Sequence, residues 1–455
     1  MMRSMYSAVS GLRVHQTKMD VIGNNIANVN TVGYKKGQMT FQEVFSQVIR
    51  GAGAPQGGKG GTNPQQIGLG VGIGSINTIH TKGPTQTTDN PTDLMIDGEG
   101  FFVVTDDTNY ENKYYTRAGN FTLDKAGNLV TPDGFKVLGY KVDENENITD
   151  EIGPIVINRS ETKSPTATNK IQFRGNLDSR NDETFTTDTV IKDSLGNSYI
   201  VKFNFKKDEA APNKWNMSLD GIKSQDGKIT IPVGNSGVKI EPQSDNGVVL
   251  KFNEDGKIIG IGAGAGAEDA INGLKLDFNG VTKGKNGKGE EISLGATFGE
   301  GGKITIFDPD DKDSYNKLTQ YANDRDIKPY AENGNSSGKI EGFSIDPSGV
   351  VSGIFTNGER KALGQVMLAK FDNPMGLQKL GNNFFVDTRN SGEAQLGKPG
   401  TSGFGATKSG SLEMSNVDLS MEFTEMITTQ RGFQANSRII TASDEMLQEL
   451  VNMKR

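Results

Sequence analysis

Residues 417–453 read VDLSMEFTEMITTQRGFQANSRIITASDEMLQELVNM, and within them Leu419, Met426, Phe433, Ile440 and Leu447 recur every seven positions, joined by Phe423 and Val451. An apolar residue at every seventh position marks a helix with one adhesive edge, as in the seam of a coiled coil. The half-step positions hold Gln430, Ser437 and Asp444, so the stripe is narrow and suits a neighbouring helix better than a globular core. Ser415 and Asp418 predict a capping box at its start, because a hydroxyl and a carboxylate three apart satisfy orphan backbone donors. The other end of the chain carries the same pattern from Met2 to about Ala27: Met5, Leu12, Met19 and Ile26 recur every seven, with Val9 and Ile22 at half-steps. At 1.5 Å per residue the C-terminal helix would reach roughly 50 Å and the N-terminal one roughly 40 Å.

Working inward, the pattern changes to short alternating runs such as Phe101-Phe102-Val103-Val104, Tyr199-Ile200-Val201-Lys202-Phe203, Val248-Val249-Leu250-Lys251-Phe252 and Val366-Met367-Leu368. Turn pairs such as Asp97-Gly98, Asp133-Gly134, Asp255-Gly256 and Asn357-Gly358 bound them, which predicts antiparallel hairpins. The 59 glycines fit many tight turns. The fold class expected is therefore mainly β with helical termini: the two end helices pair as a coiled coil, and antiparallel β domains lie between them. Residues 31–75 and 396–411 are glycine-rich and lack a clear core face, so they read as extended connectors. Residues 151–334, rich in Asn, Asp, Lys and Gly, read as an outer β domain inserted into an inner one made of 76–150 and 335–395. The ends, 1–30 and 412–455, form the helical domain.

The chemistry available is limited. There is no Cys, which removes disulfides and thiolate sites, and His15 and His80 are the only histidines, so no catalytic, metal or cofactor site is expected. His15 lies one position from the predicted seam and reads as an interface residue. Gly260-Ile261-Gly262-Ala263-Gly264-Ala265 fits a dinucleotide fingerprint, but no helix of a βαβ unit follows, so a turn is the better reading. Asp308-Pro309-Asp310-Asp311-Lys312-Asp313 has the carboxylates of a calcium loop, yet Asp313 and Thr319 occupy the positions that need glycine and glutamate. A net charge of −7 gives no general attraction to nucleic acid or anionic lipid. No run approaches the length of a membrane span, and Met1-Met2-Arg3-Ser4-Met5-Tyr6 lacks the apolar core of a cleaved signal.

Met5-Tyr6-Ser7-Ala8-Val9-Ser10-Gly11-Leu12 and Met19-Asp20-Val21-Ile22-Gly23-Asn24-Asn25-Ile26-Ala27-Asn28-Val29-Asn30-Thr31-Val32-Gly33-Tyr34-Lys35 closely resemble the N-terminal signature of the flagellar rod and hook proteins. Ser415-Asn416-Val417-Asp418-Leu419, Gln430-Arg431-Gly432-Phe433-Gln434-Ala435-Asn436-Ser437 and Ala442-Ser443-Asp444-Glu445-Met446-Leu447 resemble the C-terminal one. Ile96-Asp97-Gly98-Glu99-Gly100-Phe101-Phe102-Val103 and Tyr115-Thr116-Arg117-Ala118-Gly119-Asn120-Phe121 match internal motifs of the same family.

Beneath the signature, Gly23 and the asparagines at 24, 25, 28 and 30 are poor helix formers, so the helix is expected to end there and turn through Gly33 and Tyr34. Gln430, Asn436 and Ser437 are polar groups able to fix helix register. The resemblance implies a tubular homopolymer, lined by the paired helices and exported unfolded without a cleaved signal through the flagellar export apparatus. It also implies contacts with the hook cap, the distal rod and the hook-filament junction protein. The insert 151–334 points to the hook type, with the distal rod type as the alternative; outside the family, the competing reading is a secreted β-rich binding protein.

Overall fold

The structure, a computed structural model, describes residues 2–453 apart from 56, 59, 144–145, 210, 235–236, 242–246, 264–272, 280, 282, 287, 289, 312–316 and 402. Two long helices, α1 (Met2–Ala27) and α2 (Leu419–Asn452), bracket a chain of strands. The sequence placed the start of α2 at Val417. Asp418 instead occupies the N-cap, its side chain accepting from the backbone N–H groups of Ser420 and Met421. Ser415 accepts only from Val417 N, so the expected capping box is replaced by a single-residue cap.

The chain divides into two compact units: residues 1–159, 342–354 and 360–455, and residues 160–341 and 355–359. In the first unit a β body follows the helices, with strands in the order Arg360–Val366, Lys136–Val142, Phe101–Thr105, Tyr114–Thr116, Phe384–Val386 and Gln378–Gly381. Its core gathers Phe101, Val103, Tyr115, Leu138, Met367, Phe371 and Phe385. Ring edges meet faces there, as with Tyr115 and Phe371 at 4.7 Å, the geometry that aromatic quadrupoles favour. Strand Ile148–Pro154 pairs with Lys136–Val142; its last residues, assigned from sequence to the insert, thus belong to this body.

The stretch read as an extended connector is structured. Gly37–Glu43 pairs antiparallel with Val71–Thr78, and Ser46–Arg50 pairs with Gln65–Gly68. Its glycines break up the apolar residues, yet each of the four strands carries one in Phe41, Val48, Ile67 or Ile73, and all four are exposed. The second loose stretch also holds strands, Gln395–Gly397, Ala406–Ser409 and Ser411–Glu413.

The second unit is built on Phe185–Lys192, Ser198–Lys207 and Lys214–Ser224, paired antiparallel in that order. Alternation sends Tyr199, Val201, Phe203 and Phe205 to one face, where Trp215 and Phe307 join them in a dry core. The pairing of Ile171–Asp178 departs from the antiparallel expectation: it runs parallel to Leu318–Tyr321. Gly260 and Gly262 lie in strand Ile258–Ala263, paired antiparallel with Val248–Phe252, whereas the dinucleotide fingerprint belongs to a parallel βαβ unit. Gly264 and Ala265 of that motif, and Lys312 and Asp313 of the acidic run, lie outside the described residues.

Candidate assembly face and its buried anchor

α1 and α2 meet along a line the apolar repeats did not mark. Gly11 lies against Asn436, His15 against Gly432, Lys18 against Glu425 and Asn25 against Glu422, so the helices run antiparallel. The contacting sides are small or polar apart from Val14 and Ile22: Ala8, Gly11, Val14, Ile22 and Asn25 are buried on α1, and Glu422, Thr429 and Ser443 on α2. A Cβ on Gly11 would come within 2.7 Å of Asn436 Nδ2, and one on Gly432 within 2.8 Å of the His15 ring. Each glycine is therefore a notch that receives a polar side chain of the other helix. The Lys18–Glu425 ion pair at 3.2 Å is partly exposed and contributes about 1 kcal/mol at most.

Apart from Ile22, the predicted seam residues flank this line or are exposed. On α1, Ile22 is buried, Met5, Leu12, Met19 and Ile26 are half-buried, and Val9 is exposed. On α2, Met426, Phe433, Ile440 and Leu447 are half-buried, whereas Leu419, Phe423, Gln430 and Val451 are exposed. The physical reason is close approach: small residues let two helices come together and push bulky neighbours to the flanks. The outward surface mixes polar residues with large apolar ones, with Tyr6 67%, Phe423 50%, Ile427 58% and Val451 67% exposed, together with Met421, Ile439, Met446 and Leu450. Because Gly11, His15 and Asn25 face Asn436, Gly432 and Glu422 in constant register, residues 446–452 run past the start of α1.

Where α1 ends, Asn25 is saturated. Its Nδ2 donates to Gly37 O at 2.9 Å and to Glu422 Oε2 at 3.1 Å; its Oδ1 accepts from Gly37 N at 2.9 Å and from the Tyr34 hydroxyl at 3.2 Å. Every donor and acceptor of a buried amide is thus used. Burial, then the Glu422 charge, holds the Tyr34 hydroxyl above its usual value. The expected turn begins later than the sequence suggested: Gly23, Asn24 and Asn25 stay helical, and the chain turns from Asn28, whose side chain donates back to Asn24 O. Asn30 is exposed in that turn. Gly33 has φ +69°, and a Cβ there would lie 2.6 Å from Ala118 N, so only glycine fits.

Beyond the turn lies a buried ion cluster. Lys35 Nζ donates to Glu413 Oε1 at 2.5 Å, and the Arg117 guanidinium lies 3.2 Å from Glu413 Oε2; the Lys35 and Glu413 side chains are fully buried. Lys35 also donates to Thr81 O, Arg117 to Gly98 O, and Gly83 N to Glu413 Oε1. Burial pulls both cations below their usual values, and Glu413 acts against that pull. His80 packs edge-on against Phe101 and at a tilt against Phe385; burial first, then Lys35, Arg117 and Lys379, lower its value to about 4. Lys35 and Arg117 fell inside quoted motifs, but neither their pairing nor Glu413 and Glu422 was read from sequence. The one available signal was a lone carboxylate between Leu412 and Met414.

Four family models match the chain: the flagella basal body rod protein over residues 5–35, the flagellar hook protein FlgE/F/G D1 domain over 95–176, the flagellar basal body protein FlaE D2 domain over 158–335 and the flagellar basal body rod FlgEFG protein C-terminal over 408–453. The flagellar hook protein FlgE of Borreliella burgdorferi is 37% identical over 473 residues, with 100% of each chain covered. The chain belongs to the flagellar hook protein family. FlgE of Treponema pallidum is 36% identical over 481 residues, and the flagellar basal-body rod protein FlgG of Bacillus subtilis 32% over 456, again with 100% of each chain covered. On this hook-family chain, Lys35, Arg117 and Glu413 fall in three separate matched segments and meet at one carboxylate. Among the described residues no helix is long and apolar enough to cross a membrane.

Proposed function

We propose that the chain polymerises through its helix pair into the curved tubular hook, a flexible joint that passes torque from rod to filament. As a member of the hook family it is a structural subunit of the bacterial flagellum, and its work is mechanical rather than catalytic. The observation that carries this reading is the set of large apolar side chains that the helix pair leaves exposed, Tyr6, Phe423, Ile427 and Val451 among them. A lone chain gains nothing from such a surface, whereas neighbouring copies would bury it at about 25 cal/mol per Å².

In the assembled tube, 1–30 and 412–455 act as a coiled-coil inner domain. The segments 31–75 and 396–411 bridge outward to an inner β domain, 76–159 with 342–354 and 360–395, and the unit 160–341 with 355–359 forms an outer domain inserted into it. Packed helices hold the wall, and modest polar contacts between β domains slide as each subunit passes the inside of the bend. Export proceeds without a cleaved signal through the flagellar export apparatus, and the hook cap, distal rod and hook-filament junction protein are the expected partners.

Electron microscopy of the purified chain after salt-induced polymerisation tests this directly. Curved tubes are expected; a chain that stays monomeric at every concentration contradicts the proposal. The rod reading has its own support in the full-length likeness to the rod protein FlgG, and tubes that are uniformly straight would favour it.

A further inference from the structure

Both chain ends leave the β body through one small polar node. On the N-terminal side Gly33 N donates to Glu413 O at 2.7 Å, Lys36 N to the Asn416 side chain at 2.8 Å, and Lys35 to the Glu413 carboxylate. On the C-terminal side the Asn416 amide donates to Ile79 O and to the Thr81 hydroxyl. Arg117 brings in the body, holding Glu413 with one arm and Gly98 O with the other, its guanidinium over the Phe101 ring at 5.4 Å. Lys379 closes the remaining side, donating to Lys35 O and lying over the Tyr34 ring at 5.0 Å. Segments far apart in sequence are thus cross-tied by charged side chains, of which Lys35, Glu413 and Arg117 are buried and Lys379 is exposed.

A buried carboxylate shared by two cations is weak evidence for stability, because desolvation offsets much of the attraction. Its directional hydrogen bonds, however, admit one arrangement of the segments it joins. Burial of apolar side chains between helices and body would tolerate a range of angles; this node does not.

We propose that Glu413, with Lys35 and Arg117, is a positioning group that fixes the angle at which the helix pair leaves the β body, and thereby the curvature of the polymer. The inference rests on the hook reading. In a tube the helices of every subunit pack in the wall, so an error in exit angle repeats along the polymer and appears as a change of shape.

The test uses two variants of the full chain, Glu413→Gln and the double variant Lys35→Met/Glu413→Gln, polymerised beside wild type and imaged by electron microscopy. Glu413→Gln leaves Lys35 and Arg117 without their counter-ion. The double variant removes the tie while leaving Arg117 as the one uncompensated charge, so the net charge of the trio is that of the wild type. Wild-type curvature is expected to be narrowly distributed, and both variants are expected to lose that uniformity, with the unfolding midpoint followed by Trp215 fluorescence unshifted.

Wild-type curvature in both variants would overturn the proposal. So would wild-type curvature in the double variant alone, because the Glu413→Gln effect would then be one of unbalanced charge. Should Glu413→Gln fail to fold, the double variant carries the test by itself. Failure of the wild type to form tubes at all would sink the hook reading instead, and the two failures are therefore distinct.

Discussion

In the unit spanning 160–341, Phe203, Phe205, Trp215 and Phe307 are fully buried, and the alternation of each strand turns its apolar side inward. Along α1 and α2 the sorting is incomplete: Glu422, Thr429 and Gly11 face inward beside Ala8, Val14 and Ile22, while Tyr6, Phe423 and Ile427 face outward. The first arrangement has already used its apolar surface in the monomer. The second holds it back, and an isolated helix pair with small polar contacts gains little beyond its own hydrogen bonds. Stability in one region is a property of the chain; in the other it is a property of the assembly.

The contrast can be broken most forcefully at the outward face. Replacing Phe423 and Ile427 together by Asp removes two apolar side chains from the contact between copies, at about 1.5–3 kcal/mol each before the cost of burying charge. The concentration needed for polymerisation, read by sedimentation, is expected to rise by about four orders of magnitude, with Trp215 fluorescence unchanged. The reverse case is Phe203→Ala, which opens a cavity in the second unit. It should cost about 3–5 kcal/mol in the unfolding transition reported by Trp215 and leave the helical circular dichroism signal in place.

A third effect separates the units by pH. His80 holds its proton to about 4 in the folded first unit and to about 6.5 when unfolded, so between these values the unfolded state binds more protons. Stability contributed by neutral His80 is full above about pH 6.5 and falls as pH drops to about 4, by up to about 3 kcal/mol. The pH dependence of helix unfolding should be shallower in His80→Phe by that amount, with the Trp215 transition the same in both chains. The smallest expected effect is at Asp418, where Asp418→Ala removes the N-cap of α2. It should cost about 1 kcal/mol, seen as lower helical ellipticity in the monomer and a modestly higher concentration for assembly.

How far the sequence disclosed this arrangement follows from what patterns can encode. A heptad of Leu, Met, Phe and Ile announces a helix, and α1 and α2 lie close to where those repeats placed them. The same repeat points to bulky residues, however, and helices that approach through Gly11, Thr429 and Gly432 meet along residues that leave no hydrophobic signal. The 37–78 ribbon was obscured for a related reason, since its glycines separate short strands whose apolar residues, such as Phe41, Val48, Ile67 and Ile73, stay exposed. The Lys35–Glu413 contact spans 378 residues of sequence, and nothing local to either residue names its partner. The parallel pairing of Ile171–Asp178 with Leu318–Tyr321 escaped detection because hairpin turns reveal only neighbours.

Amide hydrogen exchange over residues 2–27 and 419–452, compared between dilute monomer and polymer, tests the central claim most directly, because each amide reports the local free energy of opening. Outward apolar faces completed only by other copies predict rapid exchange along both helices in the monomer. In the polymer exchange should slow by at least about a hundredfold, with the second unit protected alike in both forms. Helices equally protected in monomer and polymer would contradict the account.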